Sequence, residues 1–287
     1  MNSPQKNEPI SLTRKAIHGG FWVFSIQAVS RLFSIVRLIV IARFLAPDDF
    51  GLMGIALLTL SILDVFSKTG FLEKLIQKKD NIDNYLDTAW TVLFLRGILL
   101  SILIILLSIP IAQFFNNPDA ALIIALVGIS PFLIGATNIG IVFFQRELQF
   151  KKQFIYEVSG TIVDFIVAII TVIVLRTVMA LVFGLLAGHF IRLLVSYIIS
   201  PIRPRFALDI DKTKEMYRFG KWILGSGILI FALTQGDDIF VGKVLGVFSL
   251  GLYQMAYRIS NLCLLYTSPS PRTSLHLVCR LLLEKKK

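Results

Sequence analysis

Apolar runs of about 20 residues, a length at which a helix crosses the ~30 Å hydrocarbon core of a bilayer, recur along almost the whole of this chain. Backbone in lipid must satisfy its own hydrogen bonds, and these runs lack the two-residue alternation of a barrel strand. The sequence therefore predicts an all-α polytopic membrane protein. The predicted spans are 19–45, 50–67, 89–111, 120–144, 154–175, 178–200 and 219–245, with an eighth that begins near Ser249.

Composition and charge agree with this prediction. Hydrophobic residues make up 55% of the 287 residues and the mean hydropathy is +0.76, outside the range of soluble domains. Alternate connections carry sixteen Lys and Arg in one set and three in the other. This bias predicts a cytoplasmic N-terminus. The pI of 9.8 then needs no nucleic-acid partner, although anionic membrane lipid would be attracted.

The two ends of the chain differ from its middle. Residues 1–16 are polar, and we expect a disordered cytoplasmic N-terminus; the run that follows is too long for a signal-peptide core, so the first span is retained. From Cys263 the chain reads "CLLYTSPSPRTSLHLVCRLLLEKKK", and parts of it resemble a translated sequencing adapter. We expect residues 263–287 to be non-native, so that Cys263 and Cys279 indicate neither a disulfide nor a metal site.

An internal repeat is present at a constant offset of 200 residues. The stretch "GFWVFSIQ…IVIARFLAPDDFGLMGIA" aligns with "GKWILGSG…IFVGKVLGVFSLGLYQMA", with identities that include Gly20/Gly220, Trp22/Trp222 and Gly51/Gly251. The offset spans six helices, so both copies enter the membrane from the same side, as in two-lobed transporters. The predicted parts are a six-helix lobe over 17–200, a cytoplasmic linker over 201–218 and a second lobe over 219–262, truncated in its eighth span.

Polar side chains in the first span share one face. Gln27, Ser30, Arg31, Ser34 and Arg37 fall within an arc of about 120° on a helix. Polar groups at membrane depth are candidate functional residues. Arg31 and Arg37 lie about 9 Å apart along the helix axis and suit an extended anion. Internal ion pairs that hold helices together are the alternative.

Acidic residues offer counter-charges to these arginines. Glu157 and Asp164 belong to one stripe of the fifth span, and we expect an ion-pairing or ion-coupling role for them. Asp64 lies four residues before Lys68, where a local pair is favoured. Asp237 and Asp238 fall at the repeat positions of Arg37 and Leu38, so acid replaces base in the second copy.

Two further arginines lie within predicted spans. Arg192 shares a face of the sixth span with His189 and Ser196, whereas Arg96 could either extend to the interface or join a cavity. In the same sixth span, Gly184 and Gly188 form a small-xxx-small pattern that is typical of helix packing. No hydrolase, metalloprotease or nucleotide-binding motif occurs, so we expect no enzyme, no catalytic residue, no cofactor and no metal.

Five stretches carry a resemblance to a known family. They are "ARFLAPDDFGLMGIA", "GFLEKLIQKKD", "FFQRELQFKKQFIYEV", "RPRFALDIDKTKEMYRFGKWIL" and "GDDIFVGKVLGVFSLGLYQMAYRI". In order and spacing they resemble the polysaccharide-transport branch of the multidrug, oligosaccharidyl-lipid and polysaccharide exporter superfamily, the O-antigen and exopolysaccharide flippases, over residues 15–262.

The resemblance implies two six-helix lobes that face a central cavity. It also implies a bacterial inner-membrane flippase that moves an undecaprenyl-diphosphate-linked oligosaccharide for lipopolysaccharide or exopolysaccharide synthesis, alongside a polysaccharide polymerase and glycosyltransferases. The spacing of Arg31 and Arg37 resembles the paired arginines of lipid II flippases, and Arg258 in "MAYRI" is the expected cavity cation of the second lobe. This chain has Asp64 in the region where those flippases carry a further arginine.

Three alternatives remain from the sequence. A multidrug exporter of the same superfamily would take mostly cationic substrates and favour an acidic cavity. A membrane-embedded glycan polymerase or acyltransferase would need large outer loops or a catalytic His/Asp pair, and the outer loops here are short. A fragment that lacks most of its second lobe could be inactive.

Overall fold

The computed structural model describes residues 12–67, 70, 75 and 83–267. Helices make up most of these ranges and no strand occurs within them, which confirms the predicted all-α class. A 3₁₀ turn at Ile139–Ile141 and a π-helical segment at Val241–Leu245 interrupt the α-helices. In chain order the α-helices are α1 Leu12–Ile41, α2 Pro47–Phe66, α3 Asp83–Phe114, α4 Ala120–Val127, α5 Ser130–Gly135, α6 Val142–Arg146, α7 Phe150–Leu175, α8 Met179–Ile199, α9 Ile210–Phe240 and α10 Gly246–Thr267.

Six helical stretches in the described residues are long and apolar enough to cross a membrane, and a bent pair, Ala120–Gly135 with Ile139–Arg146, gives a seventh if it forms one span. Aromatic contacts between α1 and α7 show that it does. Trp22 meets Phe154 at 5.3 Å between ring centroids, and eleven residues further along both helices Phe33 meets Phe165 at 5.0 Å. Parallel helices need an odd number of crossings between them, so the bent pair must cross in addition to α2 and α3.

The fourth span, predicted over 120–144, is broken and bent and is not a single straight helix. The chain breaks after α4 and bends by 70° between α5 and the 3₁₀ turn. Pro131 near the start of α5 has no N–H to donate, which favours a break before it. Asn138 supplies hydrogen bonds on the C-terminal side of the bend. Its side chain accepts from the Gly140 N–H at 2.8 Å and donates to the Ile202 carbonyl at 2.8 Å.

The last helices form a hairpin. Tyr253 donates to the Asp237 carboxylate, and Gln254 donates to Asp238 at 3.4 Å, each pair sixteen residues apart. In a straight helix such residues would be about 24 Å apart, so the chain reverses between them. The turn follows the π-helical segment and uses Gly246, whose φ of 87° lies in a region that favours glycine. The longest apolar stretch, Leu224–Arg258, is therefore divided between two antiparallel helices, α9 and α10.

Helices α2 and α10 cross in backbone contact at two glycines that are equivalent in the repeat. A Cβ on Gly51 would overlap the Val247 carbonyl, and a Cβ on Gly251 would overlap the Pro47 carbonyl. Pro47 and Val247 are themselves 200 residues apart, so the two contacts exchange under a two-fold rotation. This relation agrees with the parallel repeat that the sequence predicts.

Both ends of the described region extend beyond the predicted boundaries. Helix α1 begins at Leu12, so residues 12–16, which we expected to be disordered, are helical; a helix satisfies its own backbone bonds and can continue past the hydrocarbon into water. Helix α10 continues to Thr267, through residues 263–267 of the adapter-like segment, whose two leucines are good helix formers. Residues 1–11 and 268–287 lie outside the described residues.

The glycine crossing makes a testable prediction. We expect Gly51→Ala and Gly251→Ala each to lower the free energy of unfolding by about 1–3 kcal/mol, because the added methyl group meets a carbonyl of the facing backbone. Thermal unfolding of the purified protein in detergent measures this loss. Gly225→Ala on α9 is the control, since a Cβ there meets nothing within 4 Å. Equal melting temperatures for all three variants would contradict the close crossing.

The bend in the fourth span makes a second prediction. Asn138 is fully buried, and Asn138→Ala would leave the Gly140 N–H and the Ile202 carbonyl without their partner. We expect a loss of about 2 kcal/mol or more, measured by the same thermal unfolding. Asn117→Ala removes a single exposed hydrogen bond and should cost about 1 kcal/mol or less. The prediction fails if the two variants lose the same stability.

Candidate functional site

A cavity of about 130 Å³ lies between α1, α2, α8 and α10. Its polar lining consists of Ser34 and Arg37 from α1 and Arg258 from α10. The apolar lining comes from α1, α2 and α8 and consists of Leu38, Ile41, Phe50, Met53, Leu57, Leu181 and Leu185. The cavity thus places two guanidinium groups, one from each repeat, in mainly apolar surroundings.

Arg37 forms an ion pair with Asp164 of α7. Arg37 Nη1 lies 2.6 Å from Asp164 Oδ2, and the two side chains are 22% and 21% exposed. Arg37 Nη2 also donates to the Leu181 carbonyl at 3.5 Å. The pairing is single-point, because Arg37 Nε and Asp164 Oδ1 are buried and make no hydrogen bond. Of the two roles expected for Asp164, the structure therefore has the paired one.

Glycines on α8 leave the space that Asp164 occupies. A Cβ on Gly184 would lie 2.6 Å from Asp164 Oδ1, and one on Gly188 would lie 2.9 Å from Asp164 Cβ. The small-xxx-small pattern therefore packs α8 against α7, as its spacing indicates. It also seats a carboxylate between the two helices, a role that the spacing alone did not reveal.

A second ion pair lies on the same two helices. Arg192 Nε is 3.6 Å from Glu157 Oε2, and Arg192 Nη2 donates to Thr161 at 3.3 Å. A Cβ on Gly160 would meet the Arg192 side chain. The charge of Arg192 also acts on Asp164. Arg37, Asp164, Arg192 and Glu157 thus form a series of alternating charge, and Arg192 does not line the Arg37 cavity.

Arg96 contacts α2 rather than the cavity. Its Nη2 donates to Asp64 Oδ1 at 2.5 Å and to the Asp64 carbonyl at 2.9 Å, and it also reaches Ser67 at 2.9 Å. Asp64 thus pairs with a residue on the next helix. The local partner that we expected, Lys68, lies outside the described residues. Arg96 and Asp64 tie the end of α2 to α3 and do not line the cavity.

The polar arc of α1 reaches the cavity only at one end. Ser34 and Arg37 line it, whereas Gln27, Ser30 and Arg31 do not. Ser34 donates to the Ser30 carbonyl at 2.8 Å. Within the described ranges, Gln27 and Arg31 have neither an ion pair nor a side-chain hydrogen bond. The helical angle gave the direction of these side chains but not the depth of the cavity.

The acidic pair on α9 contributes to the hairpin instead of lining the cavity. Asp237 accepts from Tyr253 and Asp238 from Gln254. The charge of Asp238 acts on Arg258, as does that of Arg37. In the described part of the chain, no group of three or more His, Cys, Asp or Glu side chains could hold a metal ion.

Comparisons with known proteins give relatives of low identity. The chain is 26% identical over 253 residues to the lipopolysaccharide biosynthesis protein WzxC of Escherichia coli, covering 88% of this chain and 51% of the relative. It is 21% identical over 225 residues to the succinoglycan biosynthesis transport protein ExoT of Rhizobium meliloti, covering 78% and 45%. It is 22% identical over 262 residues to the teichuronic acid biosynthesis protein TuaB of Bacillus subtilis, covering 90% and 54%.

The chain spans about half the length of these curated relatives. No solved structure matches it. A family model described as "Polysaccharide biosynthesis protein" matches residues 40–270, which include both helices of the glycine crossing and Arg258 and begin three residues after Arg37. The chain therefore belongs to this family of polysaccharide biosynthesis proteins.

Proposed function

We propose that the chain is part of an exporter that flips an undecaprenyl-diphosphate-linked oligosaccharide across the bacterial inner membrane by alternating access. The observation that carries the proposal is the cavity that Arg37 and Arg258 share. Two like charges that line one cavity repel each other, and an anion between them removes that repulsion. Asp164 compensates the charge of Arg37. Arg258 is exposed and has no ion pair within 4 Å among the described residues, although the charge of Asp238 acts on it.

A diphosphate matches this arrangement. Guanidinium groups bind phosphate oxygens with two parallel hydrogen bonds, and two of them can hold the two phosphates of one ligand. The prenyl tail stays in lipid while the hydrated glycan occupies the path between the lobes. Arg31 and Gln27 continue the polar face of α1 beyond the cavity, where they are free to contact the sugar-proximal part of the ligand.

The names of the relatives support a site that recognises what different glycans share. Lipopolysaccharide, succinoglycan and teichuronic acid are chemically different polymers. A lipid diphosphate anchor is common to many pathways of glycan assembly, and an arginine cavity would recognise this anchor without reading the sugars. The proposed partners are therefore the lipid-linked substrate, membrane lipid, the polysaccharide polymerase and the glycosyltransferases.

The charge of the cavity disfavours a multidrug exporter. A cationic drug would meet Arg37 and Arg258 in a region of low dielectric constant, where like charges repel strongly.

The proposal also includes the predicted orientation, with a cytoplasmic N-terminus, and the predicted lobes over 17–200 and 219–262. Because the chain spans about half of its relatives, its activity without further residues is the first quantity to measure.

The functional test uses a strain that lacks its own polysaccharide exporter and expresses this chain. We expect surface polysaccharide to appear with the unaltered chain and to fall by about tenfold or more in Arg37→Ala and Arg258→Ala, because each variant removes a charged hydrogen-bond donor to the diphosphate. Protein level is measured in parallel by immunoblot. Surface polysaccharide is measured by labelled lectin or antibody.

Arg43→Ala is the matched control, since Arg43 is exposed at the end of α1 and does not line the cavity. It should keep normal surface polysaccharide. Normal polysaccharide in the Arg37→Ala/Arg258→Ala double variant, at normal protein level, would refute the cation site. Drug efflux without any polysaccharide would favour the multidrug alternative, and the absence of both would indicate an inactive fragment.

A further inference from the structure

The Arg37–Asp164 pair joins the cavity to the interior of the first lobe. Arg37 faces the cavity that it shares with Ser34 and Arg258, and it also bonds Asp164, which is seated on Gly184. One guanidinium is thus available to two anions, the carboxylate of the protein and any anion in the cavity. A bound anion must therefore compete with Asp164.

The Arg37–Asp164 ion pair has fewer hydrogen bonds than such a pair can form. An arginine and a carboxylate in full contact form two parallel hydrogen bonds, whereas only Arg37 Nη1 and Asp164 Oδ2 are in contact here. Arg37 Nε and Asp164 Oδ1 are buried without a hydrogen-bond partner, which costs free energy in the resting state. A diphosphate that accepts hydrogen bonds from the remaining N–H groups of Arg37 would weaken the attraction between this guanidinium and Asp164.

Asp164 has no adequate second cation. Two described charged groups act on it, Arg37 from α1 and Arg192 from α8. Arg192 shares its charge with Glu157, whose carboxylate lies 3.6 Å from Arg192 Nε, and its Nη2 donates to Thr161, although its Nε makes no hydrogen bond. His189 lies beside Arg192 on the same helix, where the two interact. The glycines that seat Asp164 offer no side-chain donor. A carboxylate that loses its partner in such a place is stable only if it is neutralised.

We infer that Asp164 is a displaceable counter-ion, which an anionic lipid diphosphate in the cavity releases from Arg37 and which then takes up one proton. The step forms one O–H bond on Asp164 and breaks the bond to that proton in a buffer acid or hydronium ion of the bulk solution, which is left as its conjugate base; Arg37 stays protonated throughout. Each binding event therefore carries a proton into the site, and release of the ligand returns it. The inference rests on the proposed diphosphate site and adds a link between substrate binding and proton movement.

The experiment measures binding of farnesyl diphosphate, a soluble lipid diphosphate, to the full chain in lipid nanodiscs. Titration calorimetry at one pH in buffers of different ionisation enthalpy gives both the dissociation constant and the number of protons taken up. The unaltered chain should take up about one proton more per ligand than Asp164→Asn, and Asp164→Asn should bind about tenfold more tightly, as a coupling of this size gives. Circular dichroism and thermal unfolding check that each variant is folded.

Asp64→Asn is the matched control, because it also removes the carboxylate of an interhelical Arg–Asp pair, with Arg96, but away from the cavity. It should change neither the affinity nor the proton count. The inference is overturned if folded Asp164→Asn binds no more tightly than the unaltered chain. It is equally overturned if the number of protons taken up by the unaltered chain per bound ligand is no larger than the number that the diphosphate itself gains on binding. That measurement needs no variant.

Arg37→Ala separates this inference from the proposed function. Arg37-dependent binding without a proton effect overturns the counter-ion role of Asp164 and leaves the diphosphate site in place. Binding that is absent from the unaltered chain, or that does not depend on Arg37, overturns the diphosphate site and the counter-ion role together.

Discussion

A charged side chain between helices in a hydrocarbon layer cannot be hydrated, so its partners must come from the protein. The packing of these helices depends on that constraint. Arg37 bonds Asp164 and Arg192 approaches Glu157, each pair joining neighbouring helices. Glycines face these charged side chains: Gly184 and Gly188 beside Asp164, and Gly160 beside Arg192. Small and charged residues in these helices thus pack together, because glycines, which have no side chain, leave the space that the ion pairs occupy.

The helical membrane class follows from the sequence, because the length and hydropathy of a span can be read from consecutive residues, and the repeat is visible as identities at a constant offset. The neighbours of individual side chains do not follow. The helical wheel of α1 gave five polar residues one direction, but only Ser34 and Arg37 lie at the depth of the cavity. Asp237 and Asp238 were expected to have an ion-coupling or ion-pair role; they bond Tyr253 and Gln254 of the next helix, and the charge of Asp238 also acts on Arg258. Pro131 hinted at the broken fourth span, but the contact of Asn138 with Ile202 is tertiary and has no sequence signal.

The crossing at the glycines and the lining of the cavity involve the same helices. Helix α2 supplies Gly51 to the crossing and Phe50, Met53 and Leu57 to the cavity, and α10 supplies Gly251 and Arg258. The α2–α10 crossing therefore holds Arg258 of α10 beside the residues of α2 that line the cavity.

The turns that precede α2 and α10 hold equivalent places in the repeat but have different conformations. Ala46 has φ −78° and ψ 160° and its N–H donates to Asp49, whereas Gly246 has φ 87° and ψ 173° and follows a π-helical segment. The path of the chain is therefore not symmetric even where the helix contact is. The two copies thus share the helix contact and differ in the connectors that lead to it. A search for ancestral symmetry in such proteins should compare contacts between helices before it compares the loops that join them.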